Sequence, residues 1–480
     1  MYNMNLTKCL FVTVYLLFSI VFAHAQQHEL SEPPKASNQT NHNENKETDT
    51  VLQAFTQGKV SGHFRYFFMT TDNKLPLTDY FAHAAGVGLK FETAPFHHLQ
   101  AGIGATTVFN LNSSSFTVAD KLSNQYNRYE IALFDIENPD KKSNLMRLDE
   151  FYLKYHLKNL KLTYGRQLIN TPFINQQDGR MMLTAVQGIW ASFNNKKKWK
   201  IEGGYLYRIS PRSTFSFYDM GKSIGIYPSG VDVDGTKSNY KNNLNSKGIL
   251  TAGITNTHLK GITIQLWNQF VENIFNTTMI QADYHTDDQK KSQIIVGLQS
   301  VFQTAVHQDV HDGINEDYYP AKMRSFTYGA KLGWNIKKVE TSLNYNRITA
   351  MGRYLMPREW GREPFYTFLP RERNEGLGDV HALTLKIYYA LPSLRIKVNA
   401  GAGYYNLPPV KKFKLNKYGM PSYSQFNLDI KYEFAGMLKG FEAQLLVAHK
   451  MNASKEAIEY KNIINKVDMT NISAAVNFRF

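Results

Sequence analysis

The sequence predicts an all-β fold, a transmembrane antiparallel β-barrel of about eighteen strands with short periplasmic turns and long external loops. Three observations carry that expectation. Asn471 to Phe480 alternates apolar Ile472, Ala474, Val476, Phe478 and Phe480 with polar Ser473, Asn477 and Arg479, the period of a strand with one greasy and one wet face. Mean hydropathy is only −0.39, yet aromatics make up 13% of the chain, with 29 Tyr and 30 Phe. Beyond the first residues no apolar run reaches the roughly eighteen residues a helical span needs. A barrel reconciles these facts, because it hides its apolar residues at alternate positions and sets aromatics in girdles at both membrane interfaces.

Taken in order, the elements fit one compartment. Lys8 is the only charge before the apolar run Leu10 to Ala23, and Ala23-His24-Ala25 has the small-x-small form of a cleavage site. Residues 1–25 are therefore expected to be a secretory signal peptide. Cys9, the single cysteine, sits inside it, so disulfide, thiol and cysteine-metal chemistry are not expected of the mature chain. Residues 26–57, polar and Pro-containing, are expected to be a flexible periplasmic leader. The barrel is expected over 58–480.

Alternation then recurs with few breaks. It is clearest at Phe326 to Ile336, Leu394 to Tyr404 and Phe426 to Phe434, where every charge lies on one parity. A lipid-facing Lys or Arg costs about 2–4 kcal/mol at mid-bilayer, so that confinement carries weight. Short turns are expected at Lys158-Asn159, Asn194-Asn195, Thr257-His258, Lys337-Lys338 and Leu391-Pro392. Long loops are expected over 111–144, 209–246, 303–323 and 350–378. No repeat of propeller length is evident.

The segment Gly165 to Trp190, GRQLINTPFINQQDGRMMLTAVQGIW, resembles the stretch that enters and forms the constriction loop of OprD-type outer-membrane porins. The matching features are Gly165, Thr171-Pro172, Asp178-Gly179-Arg180 and Gly188. Gly62 to Asn73 and Asn127 to Glu137 resemble the Bacteroidetes-like version. The resemblance implies a bacterial outer-membrane location, an inward-folded constriction loop and a monomer or loose homotrimer. It also implies a narrow pore whose arginine and lysine ladder guides small carboxylate-bearing solutes, and a Phe480 read by the barrel-assembly machinery.

Charge supports a basic lumen independently. The formal net charge is +15; removing Lys8 gives +14, and the leader's five acids and two bases leave about +17 for the barrel. Parity puts Arg65, Lys90, Lys154, Lys161, Lys200, Arg208, Lys331, Arg395, Lys397 and Lys431 on the wet face. A one-signed lining between low-dielectric walls concentrates anions. Arg180 is the leading constriction residue, with Asp178 and Pro172 turning its loop, because guanidinium binds a carboxylate bidentately. The alternative is that Arg180 pairs with Asp178 or a wall acid and only pins the loop.

A second cluster, Arg353, Arg358, Arg362, Arg371 and Arg373, shares residues 353–376 with four glutamates and interleaved aromatics. It reads equally as an inward mouth lining or as an external lid, stitched by its own ion pairs or touching lipopolysaccharide. Wall acids Glu150, Glu202, Asp283, Glu340, Asp429 and Glu433 are expected to pair across the lumen with lysines, or in part to form an electronegative pocket for a solute's amino group; the sequence does not distinguish the two. The glycine runs at Gly86 and Gly102 lack a following helix, and Val231 to Gly235 lacks a full calcium-ligand set. No cofactor, metal, enzymatic activity or nucleic-acid partner is expected. The expected partners are outer-membrane lipids, lipopolysaccharide and small anionic or zwitterionic solutes. The reading is thus a porin for passive diffusion of small carboxylates, with a phosphate or sugar channel, or a plugged adhesive barrel, as the alternatives.

Overall fold

A computed structural model describes residues 47–177, 179–195, 198–286, 292–306 and 316–480. The signal-peptide segment with Cys9, most of the leader, and Asp178 lie outside these residues. The described residues form a single antiparallel sheet of nineteen strands, of which the two-residue Tyr218–Asp219 pair only caps a neighbour. The other eighteen make the closed wall. They are β1 Lys59–Asn73, β2 Tyr80–Glu92, β3 Leu99–Ser113, β4 Leu145–Leu157, β5 Leu160–Gln167, β6 Ala185–Asn195, β7 Trp199–Ser210, β8 Ile249–Asn256 and β9 Ile262–Val271. The ring continues through β10 Phe275–His285, β11 Ser292–Ala305, β12 Arg324–Ile336, β13 Val339–Ile348, β14 Val380–Leu391, β15 Ile396–Asn406, β16 Tyr423–Glu433, β17 Phe441–Asn452 and β18 Met469–Arg479. Each strand pairs with its sequence neighbours. β18 meets β1 with Val476 opposite Tyr66, which leaves the sheet no free edge.

Alternation decides which way each side chain points. Leu89, Ile103, Leu298, Leu332, Leu385 and Leu428 are among the large apolar residues left exposed on the outside, as a lipid-facing surface requires. At the short-turn end, Phe91, Tyr155, Phe193, Trp199, Tyr284, Trp334, Tyr389, Tyr432, Phe441 and Phe478 share that outward parity and form an aromatic girdle. Nine connections leave the opposite end: L1 74–79, L2 114–144, L3 168–184, L4 211–248, L5 272–274, L6 306–323, L7 349–379, L8 407–422 and L9 453–468. Long and short links alternate as the sequence predicts.

The interior holds two apolar packs in the long-loop half. One joins wall residues such as Trp190, Trp267 and Tyr423 to Phe173 and Ile174 of L3, Tyr318 of L6, and Tyr354, Trp360 and Phe365 of L7. The other joins Phe67, Met69 and Val108 of the wall to Leu133 and Phe134 of L2 and Met181 and Met182 of L3. Such packs take the loops out of the solvent and fix them inside the barrel. The leader's last residues also have structure: Val51–Thr56 forms a short helix, α1, at the foot of the barrel.

Candidate functional site: the loop-lined constriction

L7 builds most of the constriction, and it does so by following the inner wall. Leu355 exchanges hydrogen bonds with Gln303 of β11: its N–H donates to the side-chain oxygen at 3.0 Å, and its carbonyl accepts from the amide at 2.8 Å. Tyr366 then donates to Asp283 of β10 at 2.7 Å, its ring filling the space over Gly297, where a Cβ would lie 2.7 Å from it. Leu369 packs on Gly401 of β15 in the same way, at 2.6 Å from such a Cβ. These two wall glycines let the loop lie flat against the sheet. The Pro370 carbonyl accepts from Gln425 and Asn427 of β16, and Arg371 reaches β18, donating to Asn471 at 2.7 Å and Ser473 at 2.8 Å.

The arginine loop is therefore inside the barrel, and the external-lid alternative does not hold. Its ion pairs exist, but they face inward. Arg358 donates to Glu375 at 2.6 Å and lies over the Tyr418 ring at 3.5 Å. Arg373 donates to the Gly361 carbonyl at 2.8 Å, and Arg362 lies over Phe368 at 4.5 Å. Arg353 donates to carbonyls of Val231, Asp232 and Phe413, so it ties L7 to L4 and L8 and is a fastener of the loops.

L3 is zipped to L7. Asn175 accepts from the Arg362 N–H at 2.9 Å and donates to the Arg362 carbonyl at 2.8 Å, while its own N–H donates to the Trp360 carbonyl. Pro172 sits in the turn Thr171–Ile174, which the Thr171 hydroxyl closes by accepting the Phe173 and Ile174 N–H groups. Pro172 thus shapes the loop. Phe173 and Ile174 enter one apolar pack and Met181 and Met182 the other, so Arg180 lies in the link between them. Arg180 is 8% exposed, and its carbonyl accepts a hydrogen bond from Arg65 of β1.

L2 brings the counterpart. Glu130 is buried and accepts from Thr71 at 2.5 Å and Asn127 at 2.6 Å; burial raises its carboxyl above the ordinary range. Burial alone would push the neighbouring Tyr129 phenol up, but Lys450, Arg128, Arg371 and Arg180 around it bring the net shift down. Arg128 of L2 lies over the Tyr129 ring at 5.6 Å, and Lys450 of β17 donates to the Arg371 carbonyl of L7 at 2.6 Å. Arg128 also stands within the field of Arg358 and Arg373 of L7.

Most of the predicted wall cations take their places. Arg65, Lys90, Lys154, Lys161, Lys200, Lys331, Lys397 and Lys431 lie on lumen parity. Arg65 donates to Asn477 at 2.6 Å, and Lys431 is buried. Two predicted positions need correction. A bulge between Gln187 and Gly188 moves Arg208 into register with Gln187 and Arg166, on the outward face, where it pairs with Asp219 at 3.6 Å. Arg395 precedes β15; it ends the turn Pro392–Leu394 with φ 56° and does not belong to the wall.

The wall acids mostly pair with neighbours along the sheet rather than across the lumen. Glu150 meets Lys90 at 3.1 Å, Glu202 meets Lys200 at 2.6 Å, Glu340 meets Lys331 at 3.1 Å and Glu433 meets Lys397 at 2.5 Å. Asp283 and Asp429 accept from Tyr366 and from Gln444 instead. Lys386 of β14 and Lys450 of β17 also point inward but were not among the predicted lining. The parity of LTLKIYY and LLVAHK carries both.

One loop carboxyl is expected to make the assembly pH-sensitive. Burial pushes Glu359 of L7 up to about 7, with the Gly225 N–H donating to it at 2.7 Å and Lys417 and Glu375 nearby. The packed loop holds this proton to higher pH than a released loop, whose carboxyl titrates near 4.5. The stabilisation is therefore full below that value and is lost as pH rises through about 7. Single-channel noise is expected to grow between pH 5 and pH 8 in the wild type and to lose that dependence in Glu359→Gln.

Comparison with known proteins agrees with this architecture. A family model described as outer membrane porin, OprD family, matches residues 114–359, just over half of the chain. No curated protein matches by sequence. Among solved structures, OccK9 (OpdG) of Pseudomonas aeruginosa is similar with TM-score 0.68 and 14% identity, over 89% of this chain and 99% of that one. OccAB4 of Acinetobacter baumannii is similar with TM-score 0.67 and 14% identity, over 88% and 98%. OpdK of P. aeruginosa, solved with vanillate, is similar with TM-score 0.65 and 14% identity, over 89% and 99%. The chain belongs to the OprD family of outer-membrane porins.

Proposed function

We propose that this porin passes small carboxylate-bearing solutes by passive diffusion. The observation that carries this reading is the set of cations that loops and wall hold inside the barrel: Arg65 donates to the Arg180 carbonyl, Lys450 donates to the Arg371 carbonyl at 2.6 Å, and Arg128 lies over the Tyr129 ring at 5.6 Å. A carboxylate entering between the loops exchanges hydration for guanidinium and ammonium donors at this point. From there Arg65 and Arg479 lie on the lumen parity of the seam, opposite Asn477 and His63 respectively, on the way to the periplasmic end. Acids beside the cations keep binding weak enough for release, as conduction requires. The similar OpdK, solved with an aromatic carboxylate, favours the same solute class.

Liposome swelling with benzoate against benzamide, which match in shape and differ in charge, tests the reading. Benzoate is expected to enter several-fold faster, and Arg180→Ala is expected to reduce that advantage. Equal rates for both solutes in the wild type overturn it. The apolar packs among the loops favour a second reading, a plugged barrel, which predicts no swelling with either solute.

A further inference from the structure

Helix α1 presents an apolar face that the described residues leave more than half exposed. Its only buried residue is Ala54, whose carbonyl accepts the Ala94 N–H at 2.8 Å. Thr48 fastens the preceding residues to the β2–β3 turn, its N–H and hydroxyl both donating to the Pro95 carbonyl at 2.9 and 3.0 Å. Glu47 pairs with His98 of the same turn. The helix is thus held at the foot of the wall with a defined rotation. Val51, Leu52 and Phe55 fall within about 100° of arc at 100° per residue. They are 55%, 73% and 57% exposed.

That face continues a surface already facing lipid. The Phe55 ring stacks on Phe91 at 6.2 Å, and Phe91 belongs to the outward aromatic girdle at the short-turn end. Phe91 is flanked across the sheet by Val60 and Ile103, both exposed on the same outer face. No acidic side chain lies in the helix's first turn and no basic one in its last. An uncharged helix whose apolar arc runs into a lipid-facing girdle fits the interfacial zone of a bilayer.

We propose that α1 is an interfacial anchor, with Val51, Leu52 and Phe55 inserted into the inner-leaflet boundary of the outer membrane beside β1 and β2. The anchor ties the polar leader to the membrane surface next to the barrel rather than beneath the pore mouth. Its partner is phospholipid, and the recognition is burial of apolar side chains with no headgroup specificity.

Spin-label accessibility tests this. On a Cys9→Ser background the chain has no other cysteine, so Leu52→Cys, Phe55→Cys and Gln53→Cys each accept one nitroxide. The full-length barrels are reconstituted in phospholipid vesicles, folding being checked by heat-modifiable gel migration. Labels at 52 and 55 are expected to collide several-fold more often with oxygen, relative to a nickel chelate, than the label at 53. Equal ratios at the three positions would mean that the helix stands in water, and shielding of 52 and 55 from both reagents would mean that it packs on protein. Either result overturns the anchor. The two apolar-face positions are independent, so a folding defect in one leaves the other to decide.

Discussion

Replacing Arg180 and Lys450 together by Gln is expected to remove most of the channel's preference for anions. Arg180 belongs to L3, where its carbonyl accepts from Arg65 of β1, and Lys450 projects inward from β17 to the Arg371 carbonyl of L7. A unit charge at about 4 Å is worth about 1 kcal/mol even at the dielectric constant of water, and more inside a narrow lumen. Removing two therefore lowers the local stabilisation of an anion by about 2 kcal/mol, roughly thirtyfold in occupancy. The readout is the chloride-to-potassium permeability ratio, expected to fall several-fold in each single variant and to approach parity in the double. Gln is shorter than Lys and Arg but keeps an amide donor, which leaves a donor near the Arg371 carbonyl that Lys450 meets at 2.6 Å. An unchanged ratio in the double variant would show that these cations only hold the loops.

Trp360→Ala is expected to have the largest effect on the loops themselves. Trp360 is fully buried, donates to Ser223 of L4 at 2.9 Å, and its carbonyl accepts the Asn175 N–H of L3. It is one of the points where L3, L4 and L7 meet, beside the Gly225–Glu359 and Asn175–Arg362 contacts. Truncating a buried Trp costs about 3–5 kcal/mol, part of it from the cavity left behind. The wall does not depend on this contact, since its strands are held by the continuous ladder, so the barrel is expected to fold and to migrate normally on gels. What changes is L7, whose release is expected to raise conductance several-fold, to increase current noise and to expose residues 353–376 to protease. A quiet, wild-type current from Trp360→Ala would mean that L7 is held by its wall contacts alone.

These two variants separate what the sequence makes legible from what it does not. The wall is legible because a membrane strand obeys one rule, apolar outside and polar inside, over a length set by the bilayer. Leu385 and Leu428 are fixed as lipid-facing by that rule alone, and so were Lys331 and Lys431 as lumen-facing. It fails at Arg208, where the bulge beside Gly188 inserts one residue and flips the parity beyond it. It fails again at Arg395, because a turn residue has no parity. Lys386 and Lys450 obey the rule and were open to it.

The site is less legible because loops build it. Arg180 and the L7 arginines are suggested by composition and by resemblance, but their partners come from distant segments. Nothing local tells that Arg371 reaches Asn471 of β18 or that Asn175 clasps Arg362. Arg128 and Tyr129, which complete the cationic site, lie in a loop with no periodicity to read. Their placement follows from tertiary packing of Leu133 and Phe134 against the wall.

We propose that the constriction favours anions, carboxylates in particular. The zero-current potential of single wild-type channels in a planar bilayer under a potassium chloride gradient, repeated with benzoate replacing chloride, tests it most directly. An anion-selective constriction gives a potential of anion-selective sign that keeps its sign with benzoate. A cation-selective sign, or a potential that collapses to zero when benzoate is the only anion, would contradict it.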